Sequence, residues 1–250
     1  MKQATQESHE SQISQEAPAR PNQSWVRESR FGRWFLSSQT WERYVLRVAI
    51  DDFSRLLTRH SPTFTRILDA GCGSGKAFPI IDAQWRPETI IGVDVDKELL
   101  KKAKTPADDC QCAVEISHQD TGNLDFPDAS FDIIFSHQLL HHTSLQSQTL
   151  ANFYRVLKPG GLLLAAESCK PFIESLGVRL LFRHPEGAQK TAEEFEDLIK
   201  NAGFIIDKQD TIVSSPWWSH PFCGLFEKLK LSKPYNEPTE ILLVARKGEE

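Results

Sequence analysis

No window of this chain approaches the roughly 18 consecutive apolar residues that a membrane-spanning helix needs. The richest pieces are short, such as "GLLLAA". The N-terminus lacks the apolar core of a secretory signal. An excess of positive charge is lacking too, since 29 Lys and Arg against 34 Asp and Glu leave a net charge of −5. Nothing in that balance pulls the chain toward nucleic acid, and a nucleic-acid-binding role is not expected. The five cysteines form no CxxC pair. Cys110 and Cys112 stand as a CxC with no second pair to complete a zinc site, so no metal set is read, and reduced thiols in the cytoplasm are expected. Internal repeats are absent.

What is present is enough chain for one full core. Residues 1–24, mostly Gln, Ser and Glu, offer almost nothing to bury and read as a disordered tail. From Trp25 the composition changes. Trp41, Tyr44, Val45, Val48, Ala49, Phe53, Leu56 and Leu57 recur at three and four, the apolar stripe of an amphipathic helix. Strands and helices then alternate. "RILDAG", "TIIGVDV", "AVEISHQD", "FDIIFSHQ", "GLLLAAES", "FIIDKQDTIV" and "TEILLVARK" read as strands. "AFPIIDAQW", "KELLKKA", "SLQSQTLANFYRVL" and residues 191–202 read as helices, the last with Thr191 and Glu194 in capping-box spacing. The alternation predicts one α/β domain over 25–250, with a mostly parallel sheet and helices on both faces.

The turn after the first strand carries the chemistry. "DAGCGSG" places Asp69 ahead of Gly71, Gly73 and Gly75, where missing Cβ atoms allow positive φ and close approach of the backbone to a ligand. Dinucleotide-binding turns follow G-x-G-x-x-G, whose last glycine would fall on Lys76. Asp94 ends the second strand, 19 residues after Gly75 (94 − 75), where a carboxylate can accept both ribose hydroxyls. Asp120 follows the third strand. An Asp after a strand also serves as a helix cap, so each of the three has two readings.

Four segments in order, "LDAGCGSG", "GVDVDKELL", "HQDTGNLDFPDASFDIIFSHQLLHH" and "RVLKPGGLLLAAE", resemble a class I S-adenosylmethionine-dependent methyltransferase. The group includes the quinone C-methyltransferases and many small-molecule methyltransferases. The likeness is close over about residues 68–167. It implies a Rossmann-like fold with a seven-stranded sheet, and S-adenosylmethionine as cofactor. It also implies a division into a helical lid (25–60), a cofactor half (61–167) and a substrate-side half with lid insertions (168–250). Carried onto this chain, the family pattern sets Asp69, Gly71, Gly73, Ser74 and Gly75 around the methionine part of the cofactor. Asp94 would hold the ribose, Asp120 and Thr121 would flank the adenine, and His137 would lie beside the methionine end. Many relatives have Asn or Ser where His137 stands.

No catalytic residue is assigned. His137, His141, His142 and Glu167 share the sheet edge where a general base would act. Three segments are expected to cover the site: "WVRESRFGRWFLSSQTW", residues 169–190, and "SSPWWSHPFCGLF" with Trp217, Trp218, His220 and Phe222. Their aromatic content favours a small apolar or aromatic acceptor, which can be lipid-like. Arg27, Arg30 and Arg33 among Phe31, Trp34 and Phe35 suit either an anionic membrane surface or a solvated face with snorkelling stems. A protein or nucleic-acid methyltransferase and a non-catalytic S-adenosylmethionine sensor are the alternatives. The segment "SHQLLHH" replaces the "NPPY" type used for amino groups on bases.

Overall fold

The computed structural model describes residues 25–220 and 236–249. The expected tail at 1–24 and the end of the Trp217 segment, from residue 221, lie outside them. In chain order the elements are α1 (Arg30–Leu36), α2 (Gln39–Trp41), a π-helical turn (Glu42–Leu46), α3 (Arg47–Leu57), β1 (Arg66–Ala70), α4 (Phe78–Trp85), β2 (Thr89–Asp94), α5 (Lys97–Asp108), β3 (Ala113–His118) and β4 (Phe131–His137). There follow α6 (Gln146–Val156), β5 (Leu157–Ser168), α7 (Lys170–Ile173), α8 (Leu176–Leu181), α9 (Ala192–Asn201), β6 (Thr211–Ser214) and β7 (Glu240–Arg246). The seven strands form one sheet in the order β3-β2-β1-β4-β5-β7-β6. Pairs from β3 to β5 are parallel, and β7 runs antiparallel to both neighbours.

Helices cover both faces, so the central strands are apolar throughout rather than alternating. Side chains still point alternately. Ile67, Ile90, Ile133, Leu162 and Leu242 pack under α3, α4 and α5, while Leu68, Ile91, Ile134, Leu163 and Leu243 pack under α6 and α9. Phe53 of α3 is fully buried, with its ring edge-on to Phe135 at 5.9 Å. Its truncation to alanine would cost about 3–5 kcal/mol. The Thr191–Glu194 capping box forms as the spacing predicts, with Thr191 Oγ1 accepting from Glu194 N and Glu194 Oε2 from Thr191 N.

Two expectations need correction. Of the predicted stripe, Tyr44 and Val48 are exposed, and the buried side is Val45, Leu46, Ala49, Ile50 and Phe53. Within α3 the side turned to the core is centred on Ala49, Ile50, Phe53, Leu56 and Leu57, which leaves Val48 toward solvent. A π-helical turn, in which Arg47 N donates to Glu42 O, precedes it. The long strand expected at 204–213 shortens to β6. Residues Lys208–Asp210 instead make a 3₁₀ turn. Asp210 is drawn inside there by His60 at 3.0 Å and Arg59 at 3.5 Å.

Candidate functional site

Strand order reverses between β1 and β4, and in open α/β sheets the ligand crevice lies beyond the carboxyl ends of the strands at that point. A cleft opens there. Asp69, Gly71, Gly73 and Ser74 line it from the end of β1, and Asp94 from β2. Asp120 and Thr121 line it after β3, and His137 from β4. The topology thus brings together every cofactor-site residue named from the sequence except Gly75.

Backbone hydrogen bonds hold the glycine turn against β2. Gly71 N and Cys72 N both donate to Val93 O, at 2.9 and 3.0 Å, and Gly73 N donates to Asp94 Oδ2 at 2.9 Å. Gly73 has φ +54°, and a Cβ there would meet no protein atom within 4 Å. Its bare face serves the cleft rather than packing. At Gly75 (φ +75°) a Cβ would come within 2.7 Å of the Phe78 ring and 3.0 Å of Ala103. That glycine lets α4 and α5 close on the turn. It does not face the cleft.

The carboxylates differ in their surroundings. Asp69 is 2% exposed and its Oδ2 has no hydrogen-bond partner among the described residues. Burial, and then the negative charge of Asp94, push its carboxyl up to about 8. Asp94 accepts from Gly73 N and, through Oδ1, from Asp96 N at 2.7 Å. Burial raises its pKa while these donors pull it back. Each of its oxygens keeps a further lone pair for a hydroxyl donor. Asp120 Oδ1 accepts from Gly122 N at 2.9 Å. Asp96, two residues further on, is the true cap of α5, accepting from Glu98 N at 2.9 Å. The capping reading therefore belongs to Asp96 and not to Asp94.

Residues 68–165 match the family model described as a methyltransferase domain. An O-methyltransferase of Aspergillus sclerotiorum is 32% identical over 177 residues, 66% of this chain and 63% of that protein. The 27-O-demethylrifamycin SV methyltransferase of Amycolatopsis mediterranei is 27% identical, over 74% of this chain and 63% of that protein. The chain therefore spans a little under two thirds of these relatives. Among solved structures, the Haloferax volcanii methyltransferase crystallised with the Trm112 methyltransferase activator superposes with a TM-score of 0.67, at 17% identity, over 88% of this chain and 96% of that one. At that identity the shared feature is the fold. Residues 68–165 thus form a methyltransferase domain, and the chain is similar to S-adenosylmethionine-dependent methyltransferases.

The cofactor of such methyltransferases carries an ammonium and a sulfonium but no phosphate. The buried Asp69 oxygen with no partner among the described residues fits a cation and disfavours a phosphate, and the glycine face without a Cβ at Gly73 gives a ligand room to approach the backbone.

The four base candidates separate sharply. Glu167 is 1% exposed. Its Oε1 accepts from Leu139 N and Leu140 N at 3.0 and 2.8 Å, and its Oε2 from His141 N at 3.3 Å. The Nδ1 of His141 also contacts that Oε2 at 2.6 Å. Glu167 and His141 are therefore committed to each other. His137 lines the cleft between Trp41 and Phe135, its Nε2 buried with no partner among the described residues, and burial holds its pKa at about 3. His142 also lines the cleft. Burial first, then His141 and His184, push its pKa well below the ordinary histidine value.

Of the expected covering segments, the first forms a wall of the cleft through Trp25, Glu28, Arg33, Leu36 and Trp41. The second packs on the first and behind the cleft. Phe182 lies edge-on to Phe31 and Phe35, each at 5.9 Å, and His184 stacks on His142 at 4.8 Å. The third stays outside over its described part, Trp217 against Tyr44 and Trp218 against Phe172. Sequence reasoning missed Gln119, Leu139 and Leu99 on the cleft wall. Nothing in their type or spacing distinguishes them from core or loop residues.

Proposed function

We propose that the protein transfers the methyl group of S-adenosylmethionine to a small, apolar or aromatic acceptor. The observation that carries the reading is the pairing of polar and apolar lining: Asp69, Asp94 and the bare glycine turn share one cleft with Trp25, Leu36, Trp41 and Leu139. Asp69, Gly71, Gly73 and Ser74 would hold the methionine part, Asp94 the ribose, and Asp120 with Thr121 the adenine. When bound, the cofactor supplies an activated methyl group on a positively charged sulfur. The chain contributes orientation and the exclusion of water from the line of transfer. His137 is uncharged at neutral pH and its low proton affinity suits a hydrogen-bond partner rather than a base. Gly75 supports the turn from below.

The exposed apolar surface of α1 and α8 supports a lipid-associated acceptor. Trp34 on α1 is 66% exposed, and Leu176 and Leu180 on α8 are 88% and 84% exposed. Phe182 ties the two helices together. Exposed Arg30 and Arg179 flank this apolar surface. An apolar face with arginines at its rim suits peripheral contact with an anionic bilayer. Among the described residues no helix is long and apolar enough to cross a membrane. The cytoplasm is the compartment we assign, in keeping with Cys72, Cys110, Cys112 and Cys169 as free thiols.

Calorimetric titration with S-adenosylmethionine, with NAD as the comparison ligand, tests the cofactor assignment. Release of S-adenosylhomocysteine in the presence of phenolic, quinol and lipid-linked acceptors tests transfer. Binding without release from any acceptor would turn the reading into that of a sensor. Release with proteins or nucleic acids alone would give the site a macromolecular acceptor.

A further inference from the structure

We propose that His141, His142 and His184 together bind one Zn²⁺ ion at the edge of the cleft. The 3₁₀ turn Leu140–His142 after β4 supplies two of the rings, and the stretch after α8 supplies the third. Their centroids lie 4.3, 4.8 and 5.3 Å apart. One ring nitrogen from each lies within 4.8 Å of the others. Zinc bonds to imidazole of about 2.0–2.1 Å in tetrahedral geometry need ligand nitrogens about 3.3 Å apart. Ring rotations that close at most about 1.5 Å (4.8 − 3.3) complete such a site. Ordinary core packing would fill this space with carbocycles or aliphatic groups, which bring no nitrogens to satisfy.

The surroundings have the form that supports a ligating histidine. Glu167, anchored by three backbone N–H groups, takes Nδ1 of His141 at 2.6 Å. That contact keeps the proton on Nδ1 and leaves Nε2 as the lone-pair nitrogen, the carboxylate–histidine–metal arrangement. Negative charge stands near to offset a cation. Arg183 N, one residue before His184, donates to Glu28 Oε1 at 2.8 Å, and Glu28 Oε2 is buried with no partner among the described residues. Glu28 also lies within electrostatic reach of His141. Three imidazoles suit Zn²⁺ and leave its fourth position open, as in catalytic rather than structural zinc sites. His142 lines the cleft, so an oxygen donor of the acceptor is the ligand we assign to that position. This last clause alone rests on the methyl-transfer reading.

The test uses the tag-free full chain, stripped with a chelator and titrated with Zn²⁺ by calorimetry, with Co²⁺ as the spectroscopic probe of coordination. One ion per chain and tetrahedral Co²⁺ bands are expected. His142→Ala and His184→Ala should each weaken binding at least about 100-fold, and Glu167→Gln about 10- to 100-fold. Cys112→Ser should leave it unchanged. His184→Asn serves if the alanine variant has an altered far-ultraviolet spectrum. Absence of stoichiometric binding would overturn the proposal, as would undiminished affinity in folded His142 and His184 variants. So would loss of binding in Cys112→Ser. No cofactor or acceptor is present in these titrations, so their failure leaves the methyl-transfer reading standing, and the converse holds.

Discussion

Asp69 should make the unliganded protein less stable as pH rises, and Asp69→Asn should remove that loss. The carboxyl sits at the end of β1, 2% exposed, with Oδ2 unpartnered and Asp94 nearby. Its pKa is raised from 3.8 to about 8 in the folded state. Between those values the folded chain holds a proton that the unfolded chain has released. The stabilising neutral form is therefore fully present below about pH 4 and lost as pH climbs through about 8. At about 1.4 kcal/mol per pH unit, raising the pH from about 5 to about 8 costs on the order of 4 kcal/mol at this one site. The asparagine variant has no proton to lose there. Urea unfolding of both proteins at the two pH values isolates the term, because the other titrating groups cancel in the difference. The stability of the variant relative to the parent should rise by on the order of 4 kcal/mol over that interval. A cationic cofactor beside Asp69 should also pull the pKa down. Binding near pH 7 should then release protons, read as a buffer-dependent calorimetric enthalpy that the variant lacks. A relative stability that moves by less than about 1 kcal/mol would refute the reasoning, as would identical buffer dependence in the two proteins.

Asp94→Ala should weaken S-adenosylmethionine binding by about 2–4 kcal/mol, read by calorimetric titration, since it removes an ionised acceptor for two hydroxyls. Unchanged affinity in a folded variant would sink the ribose assignment. Gly75→Ala should lower stability by about 2–5 kcal/mol, because the new Cβ meets Phe78 and Ala103 in addition to the positive φ. Gly73→Ala should cost only about 1–2 kcal/mol of backbone strain yet reduce cofactor affinity more strongly. Thermal melts with and without cofactor check the order, and its reversal would contradict the roles given to the two glycines. The protein should sediment with vesicles containing anionic lipid and not with neutral ones. The double variant Leu176→Asp and Leu180→Asp should weaken that partitioning at least about 100-fold, from roughly 1.5 kcal/mol or more for each lost leucine. Equal binding by parent and variant would remove α1 and α8 from the contact.

Read alone, the chain determined the fold class and the polar floor of the site. Strands such as β1 and β2 are continuous apolar runs ended by a carboxylate, and the topology of parallel sheets carries such ends to one edge whatever the details of packing. Asp69, Asp94, Asp120 and His137 were legible for that reason. Local spacing also sufficed for the α9 capping box, where both partners lie three residues apart. Spacing misled where a side chain answers to partners distant in sequence. Tyr44 and Val48 fit the apolar period yet face solvent, because the core packs against the neighbouring side of the helix, and Asp210 leaves the expected strand for His60 and Arg59. Gly73 and Gly75 look alike in the turn, and only the neighbours a Cβ would meet separate the one facing the cleft from the one under α4 and α5. His184 lies far from the "HH" pair in the chain, and Glu167 looks like one more base candidate. Tertiary packing decided that Glu167 holds His141 in place and that His184 stacks on His142. A sequence pattern records which residues share a strand end or a helix face. The distance between two imidazoles on separate loops is set by the packing of all the elements beneath them.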